Sequence, residues 1–192
     1  MPRIMLYCEM NIKNEVIIMV FETQRLIIRE LNHNDFDSLY EILSDEDTMK
    51  HYPSVFDKAK VERWINWSIE NYKTFGFGLW AVILKETGEM IGDCGITMQI
   101  INKKIKPEIG YHINKKYQNK GYATEAARGV RDYIFTNTTF NTLYTYMAYT
   151  NVASYTVALK NGMRFIEEYP DPDNEFTRVY AITREEWLNN KA

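Results

Sequence analysis

Apolar residues recur along the chain with two periods, and the switches between them lay out its elements. Residues 25–31 alternate, with Leu26 and Ile28 set against Ile27 and Arg29, which predicts a first core strand. Asn32 then offers a side-chain acceptor with Asp35 three residues on, a capping-box spacing. Phe36, Leu39, Tyr40 and Leu43 follow at helical intervals to about Asp45. After an irregular polar stretch, Val61, Trp64, Ile65 and Ile69 predict a second helix over residues 58–72, ended by Gly76 and Gly78. Residues 79–84 and 90–100 read as a hairpin around Thr87-Gly88. Residues 101–107, with Lys103, Lys104 and Lys106, are expected to be a basic loop leading into a short strand over 108–113. A long helix is expected over 123–135, with Ala123, Ala127, Val130 and Ile134 on one stripe, and then a strand over 142–149. Asn151 suits a helix start and Gly162 its left-handed end. Two final strands, over 164–169 and 176–183, close the pattern, and Thr183 with Glu186 caps a terminal turn. The order is that of a mixed α+β domain.

Upstream of Met19 two readings stand. Residues 1–18 form an extension to a single domain over 19–192, or the apolar, β-branched run 15–21 pairs as an extra strand with a sheet edge.

The strand over 108–113 and the helix from residue 123 are joined by Gln118-Asn119-Lys120-Gly121-Tyr122-Ala123. Gly121 permits a positive φ and close approach of backbone to a ligand, while the first N–H groups of the helix have no intrahelical partners. Such a turn holds an anion, and the helix dipole adds roughly 0.3–1 kcal/mol for negative charge there. A phosphate or pyrophosphate is the natural guest. The chain has no G-x-x-x-x-G-K-[ST] run, and one glycine in the turn does not make a dinucleotide fingerprint.

Composition narrows the partners. A chain of 192 residues, 45% of them hydrophobic, fits one sizeable core. Its net charge of −3 argues against nucleic acid or an anionic membrane and suits a cationic substrate. Cys8 and Cys94 lie far apart, and His33, His51 and His112 have no ligand spacing, so neither a disulfide framework nor a metal site is expected. The absence of an apolar run of about 20 residues, and of a signal-peptide pattern over residues 1–20, fits a cytoplasmic protein.

The turn resembles the Q/R-x-x-G-x-G/A signature of the GNAT superfamily of acyl-CoA-dependent N-acetyltransferases. Asn151-Val-Ala-Ser154, followed by Ala158-Leu-Lys160-Asn-Gly162-Met, is similar to a second element of that superfamily. With residues 22–29 and 181–187, the resemblance spans about 21–188 and points to the RimJ/RimL-like branch. It implies a GNAT fold with a central twisted mixed sheet and a splayed parallel strand pair, into which the pantetheine arm of acetyl-CoA enters.

By that resemblance Ile109, Gly110, Tyr111 and Ile113 on the first splayed strand line the arm. Gln118, Asn119, Lys120, Gly121, Tyr122, Ala123 and Thr124 hold the pyrophosphate, and Asn151, Ser154 and Lys160 complete the coenzyme site. Gly110 fits either close backbone approach or a simple bulge. Glu108 occupies a position that carries the general base in some members, against the alternative of a structural ion pair. Ser154 protonates the leaving thiolate or binds the coenzyme; Ala158 stands where other members place a tyrosine acid. Lys115, Lys116 and Lys120 flank the turn as 3′-phosphate ligands or solvated lysines. Acidic residues in the 45–47 loop and around 167–175 would draw an amine to the mouth. The implied activity is acetyl transfer to a primary amine, a protein N-terminus or a small amine or antibiotic, by a monomer or homodimer without a metal. The rival is a noncatalytic acyl-CoA-binding module.

Overall fold

The computed structural model describes residues 8–12 and 15–190. Among them nine strands form one sheet: β1 (Cys8–Ile12), β2 (Glu15–Glu22), β3 (Leu26–Glu30), β4 (Leu79–Leu84), β5 (Met90–Ile101), β6 (Lys104–Ile113), β7 (Thr142–Ala148), β8 (Arg164–Asp171) and β9 (Glu175–Thr183). Their spatial order is β1-β2-β3-β4-β5-β6-β7-β9-β8. The helices are α1 (Phe36–Leu43), α2 (Lys58–Phe75), α3 (Tyr122–Asn137), α4 (Val152–Lys160) and α5 (Arg184–Asn189). This is the mixed α+β architecture that the order of elements predicts.

Successive residues of β4 point to opposite faces, and both faces are covered, which is why LWAVIL reads as a continuous apolar run. Trp80 and Val82 meet Val130 and Ile134 of α3 in one core. Leu79, Ala81 and Ile83 lie on the other face with Trp64 of α2, beside the cluster where Leu39 and Leu43 of α1 meet Val61 and Ile65. Fully burying an aliphatic side chain of this size contributes roughly 1.5–3 kcal/mol, so α3 is fixed to the sheet by its apolar stripe.

The caps follow the sequence. Asn32 and Asp35 form the expected capping box around a short 3-10 turn, and Arg29 clamps the Asp35 carboxylate at 2.8 and 2.5 Å. Gly76 ends α2 with φ 75°, and Thr183 and Glu186 cap α5.

Two differences matter. Residues 101–107 are not a basic loop: β5 and β6 continue to a two-residue turn at Asn102 and Lys103, with φ of 46° and 62°. Two left-handed residues match the twist of a tight hairpin, and their lack of glycine, with Pro107 beyond, disguised the turn. Near the N-terminus, β2 does pair with the sheet, and it is met by β1, which the pattern did not predict. The extension expected over 1–18 falls partly on residues 1–7 and 13–14, which lie outside the described residues.

One pair of neighbouring strands is parallel. β6 meets β7 at a single register position, Glu108 opposite Tyr144, beyond which β6 continues to Ile113 and β7 to Ala148 without pairing. The sheet therefore opens into a wedge.

Candidate functional site

The wedge forms one end of a cleft of about 810 Å³. Its walls bring together Glu108, Ile109, Gly110, Tyr111 and Ile113 of β6, Gln118, Asn119 and Gly121 of the turn with Tyr122, Ala123 and Thr124 at the start of α3, and Asn151, the cap of α4, with Ser154 and Lys160 within that helix. Lys120 is not part of the wall. Its ammonium sits over the Tyr117 ring, 5.3 Å from the centroid, and its carbonyl accepts a hydrogen bond from Arg25 Nη1 at 3.0 Å.

The turn is shaped by local hydrogen bonds and two left-handed residues. Asn114 caps a 3-10 turn over Lys115–Tyr117, and the Gln118 side chain donates back to the Ile113 carbonyl at 2.9 Å, fixing the exit of β6. Asn119 and Gly121 then both take positive φ, 61° and 83°. Gly121 precedes α3 without contributing a side-chain cap, so no side chain of the cap residue takes the first-turn N–H groups, and residues 121–124 line the cleft. A β-carbon at Gly121 would lie 3.4 Å from Arg25 Nη2, so the backbone conformation, more than space, favours glycine. An uncapped helix start beside a glycine, at the end of a long cleft, fits the pyrophosphate of coenzyme A. Beyond it, Arg25 and Arg128 flank an outer groove that shares Gly121, Thr124 and Lys160 with the cleft.

Glu108 lies in the narrow part of the wedge. It is buried, and the Thr97 hydroxyl donates to its Oε2 at a long 3.4 Å. Burial pushes its carboxyl up to about 8, opposed weakly by that hydrogen bond. The carboxylate folds over Gly110, where a β-carbon would meet Oε2 at 3.0 Å. The β5–β6 register runs through Gly95 opposite Gly110 without a shift, so Gly110 makes room for Glu108 and is not a bulge.

On the opposite wall Asn151 accepts the Ser154 N–H at 3.1 Å, capping α4. The Ser154 hydroxyl lies 3.1 Å from the Tyr111 hydroxyl, which also donates to the Ser154 carbonyl at 3.2 Å. The lysines beside the turn face acidic partners: Lys115 meets Asp47, and Lys116 meets Glu41 at 2.7 Å. Much of the expected acidic mouth is likewise paired, Glu167 with Lys106 at 3.0 Å and Glu168 with Arg178 at 2.7 Å, while Asp171 and Asp173 line the cleft without a salt-bridge partner among the described residues, beside Asp47 with its Lys115.

Sequence reasoning missed a buried polar chain. His112 Nδ1 lies 2.8 Å from Asp93 Oδ1, and His112 Nε2 lies 2.7 Å from the Tyr52 hydroxyl. Trp64 Nε1 donates to Asp93 Oδ2 at 3.0 Å. The missed signal was strand parity: His112 is four residues from Glu108 and so on the same face of β6. Also unforeseen was Glu125, whose carboxylate takes the Thr23 hydroxyl at 2.6 Å and Arg25 Nε at 2.6 Å, tying the turn between β2 and β3 to the start of α3.

Comparison with known proteins gives the same picture. Residues 25–164 match the family model described as an acetyltransferase (GNAT) domain. The uncharacterized protein YkkB of Bacillus subtilis is 36% identical over 157 residues, covering 81% of this chain and 88% of the relative. The crystal structure of a GNAT-family acetyltransferase from Bacillus anthracis superposes with a TM-score of 0.73 at 29% identity, covering 85% of this chain and 98% of the other. A RimL ribosomal L7/L12 alpha-N-protein acetyltransferase in complex with coenzyme A shares the fold, with a TM-score of 0.73 at 16% identity over 86% of this chain and 97% of the other. With a parallel wedge, an open helix start and a family match over most of its length, this chain belongs to the GNAT acetyltransferases and is an acyl-CoA-dependent N-acetyltransferase.

Proposed function

We propose that the chain transfers the acetyl group of acetyl-CoA to a primary amine by direct attack within a ternary complex, with Glu108 as general base. The observation that carries this reading is a carboxyl buried on the wall of the same cleft that the uncapped start of α3 enters. The α3 N–H groups hold the pyrophosphate, the β6 backbone from Ile109 to Ile113 and Asn151 hold the pantetheine arm, and the outer groove takes the nucleotide end. Bound coenzyme supplies the thioester; the protein positions it and handles protons.

An ammonium must lose a proton before its nitrogen can attack. Glu108 takes that proton, directly or through water, and its basic form grows as pH rises toward about 8. Ser154, whose hydroxyl lies beside that of Tyr111, gives a proton to the departing sulfur. Asp171 and Asp173 on the cleft wall favour a cationic acceptor. The acceptor is a peptide N-terminus, as the name of the RimL structure supports, or a small amine.

The test is release of free thiol from acetyl-CoA with an N-terminal-serine peptide, spermidine and an aminoglycoside as acceptors. Glu108→Gln is expected to keep acetyl-CoA affinity and lose roughly 10²–10⁴-fold in turnover. In the variant the rate keeps rising with pH to the acceptor's own pKa, so the gap narrows at high pH. Wild-type turnover in Glu108→Gln at neutral pH removes the base, and acetyl-CoA binding without transfer to any amine favours a binding module.

A further inference from the structure

Glu108, Gly110 and His112 project from one face of β6, and their register partners Thr97, Gly95 and Asp93 share that face on β5. Two polar pairs thus flank a pair of glycines. Over this strip lies Tyr52, from the segment between α1 and α2. The residue as a whole is 43% exposed, while its hydroxyl is bonded to the His112 imidazole. Tyr52, His112 and Glu108 all line the cleft.

The donors and acceptors of this group fix its protons. Asp93 is fully buried, and its oxygens take the His112 backbone N–H at 3.0 Å, His112 Nδ1 at 2.8 Å and Trp64 Nε1 at 3.0 Å. A carboxylate is an acceptor only, so Nδ1 carries the imidazole proton and Nε2 keeps its lone pair. The Tyr52 hydroxyl therefore donates to Nε2. If His112 gains a second proton there, Asp93 is already in place to stabilise the imidazolium. Groups facing His112 are Asp93 from β5, Trp64 from α2, Tyr52 from the loop, and Glu108 along its own strand.

We propose that Tyr52 is a second catalytic residue of the transfer, passing a proton from the acceptor amine to His112, with Asp93 a positioning residue that sets the imidazole tautomer. The inference rests on the transferase reading above. The ammonium proton moves to the Tyr52 oxygen as the tyrosine's own proton moves to His112 Nε2. The freed nitrogen pair forms the N–C bond to the acetyl carbon, and the C–S bond breaks with its electron pair on sulfur. The second amine proton leaves as the amide forms and ends on that sulfur, giving the thiol, and the imidazolium returns its proton to solvent. This arm gives the cleft a second proton acceptor, which works together with Glu108.

Tyr52→Phe removes the hydroxyl and leaves the ring. With whichever of the peptide, spermidine or aminoglycoside the wild type acetylates, it is expected to lower kcat roughly 10²-fold and leave KM for the acceptor within about threefold. His112→Gln is expected to show the same loss of kcat. ¹⁵N NMR of the wild type is expected to show the Nδ1–H tautomer of His112, a readout independent of turnover and of how well the His112 variant folds. Unchanged kcat in Tyr52→Phe, a rise in KM alone, or an Nε2–H tautomer overturns the inference. A wild type that acetylates none of the amines overturns the transferase reading, and this inference with it.

Discussion

Thr97 and Glu108 face each other across β5 and β6, and the threonine hydroxyl reaches the buried carboxyl only at 3.4 Å. One long hydrogen bond does not offset the loss of water, so Glu108 stays neutral up to about pH 8, above the ordinary value of 4.5. A folded-state pKa raised in this way gives stability that is fully present below the unfolded value and is lost as pH rises through the folded one. Glu108→Gln, which never ionises, is expected to gain on the wild type between pH 5 and 8.5 by on the order of 1–3 kcal/mol. Urea melts at the two pH values read this directly. Parallel pH dependence in the two proteins would mean that Glu108 is ionised and solvated.

At the other end of the cleft, Gly121 combines a φ of 83° with an uncapped helix. A non-glycine residue in that conformation costs about 1–2 kcal/mol, which a domain of this size tolerates. Gly121→Asp is therefore expected to fold while losing at least about tenfold in acetyl-CoA affinity, because its carboxylate would repel the pyrophosphate proposed to bind there. Gly121→Ala is expected to lose less. Calorimetry giving a wild-type dissociation constant for the folded aspartate variant would contradict the anion site.

The sequence made the frame of this site legible where a local rule decided the structure. The capping box at Asn32 and Asp35, the left-handed glycines at 76, 121 and 162, and the stripe of α3 are all set by residues within a turn of each other. The cleft's other half is long-range. Tyr52 meets His112 across 60 residues and Glu125 meets Arg25 across 100, and nothing in either neighbourhood marks a partner at that distance. Lysine pairing was hidden for the same reason, since Lys115 and Lys116 near the phosphate turn find acids on the α1 side of the molecule. The turn at Asn102 and Lys103 was misread because its left-handed residues are not glycine.

The N-terminal hairpin is expected to be dispensable. β3 is paired by β2 only from Met19 onward, through Met19–Arg29, Phe21–Ile28 and Glu22–Ile27, whereas residues 15–18 pair with β1. Phe21, stacked on Tyr133 and edge-on to Trp80, also lies within the retained part. A chain begun at Met19 should then melt within a few degrees of the full chain, a difference of about 1 kcal/mol or less on the usual scale for domains of this size. A far larger fall in Tm would make β1 and the start of β2 integral to the sheet.

Ser154 separates proton donation from coenzyme binding. Its hydroxyl is 3.1 Å from that of Tyr111, whose phenol burial pushes further above its ordinary range, so this pair stays protonated across the working pH. Ser154→Ala is expected to lower turnover by about tenfold or more with acetyl-CoA affinity unchanged, because the backbone N–H that Asn151 caps is retained. Unlike Glu108→Gln, the variant should show no recovery at high pH, since the departing sulfur does not depend on the protonation of the amine. Tyr111→Phe should act in the same direction but more weakly, by freeing the serine hydroxyl to rotate. Weaker acetyl-CoA binding in Ser154→Ala, with turnover preserved at saturation, would instead assign the hydroxyl to holding the coenzyme.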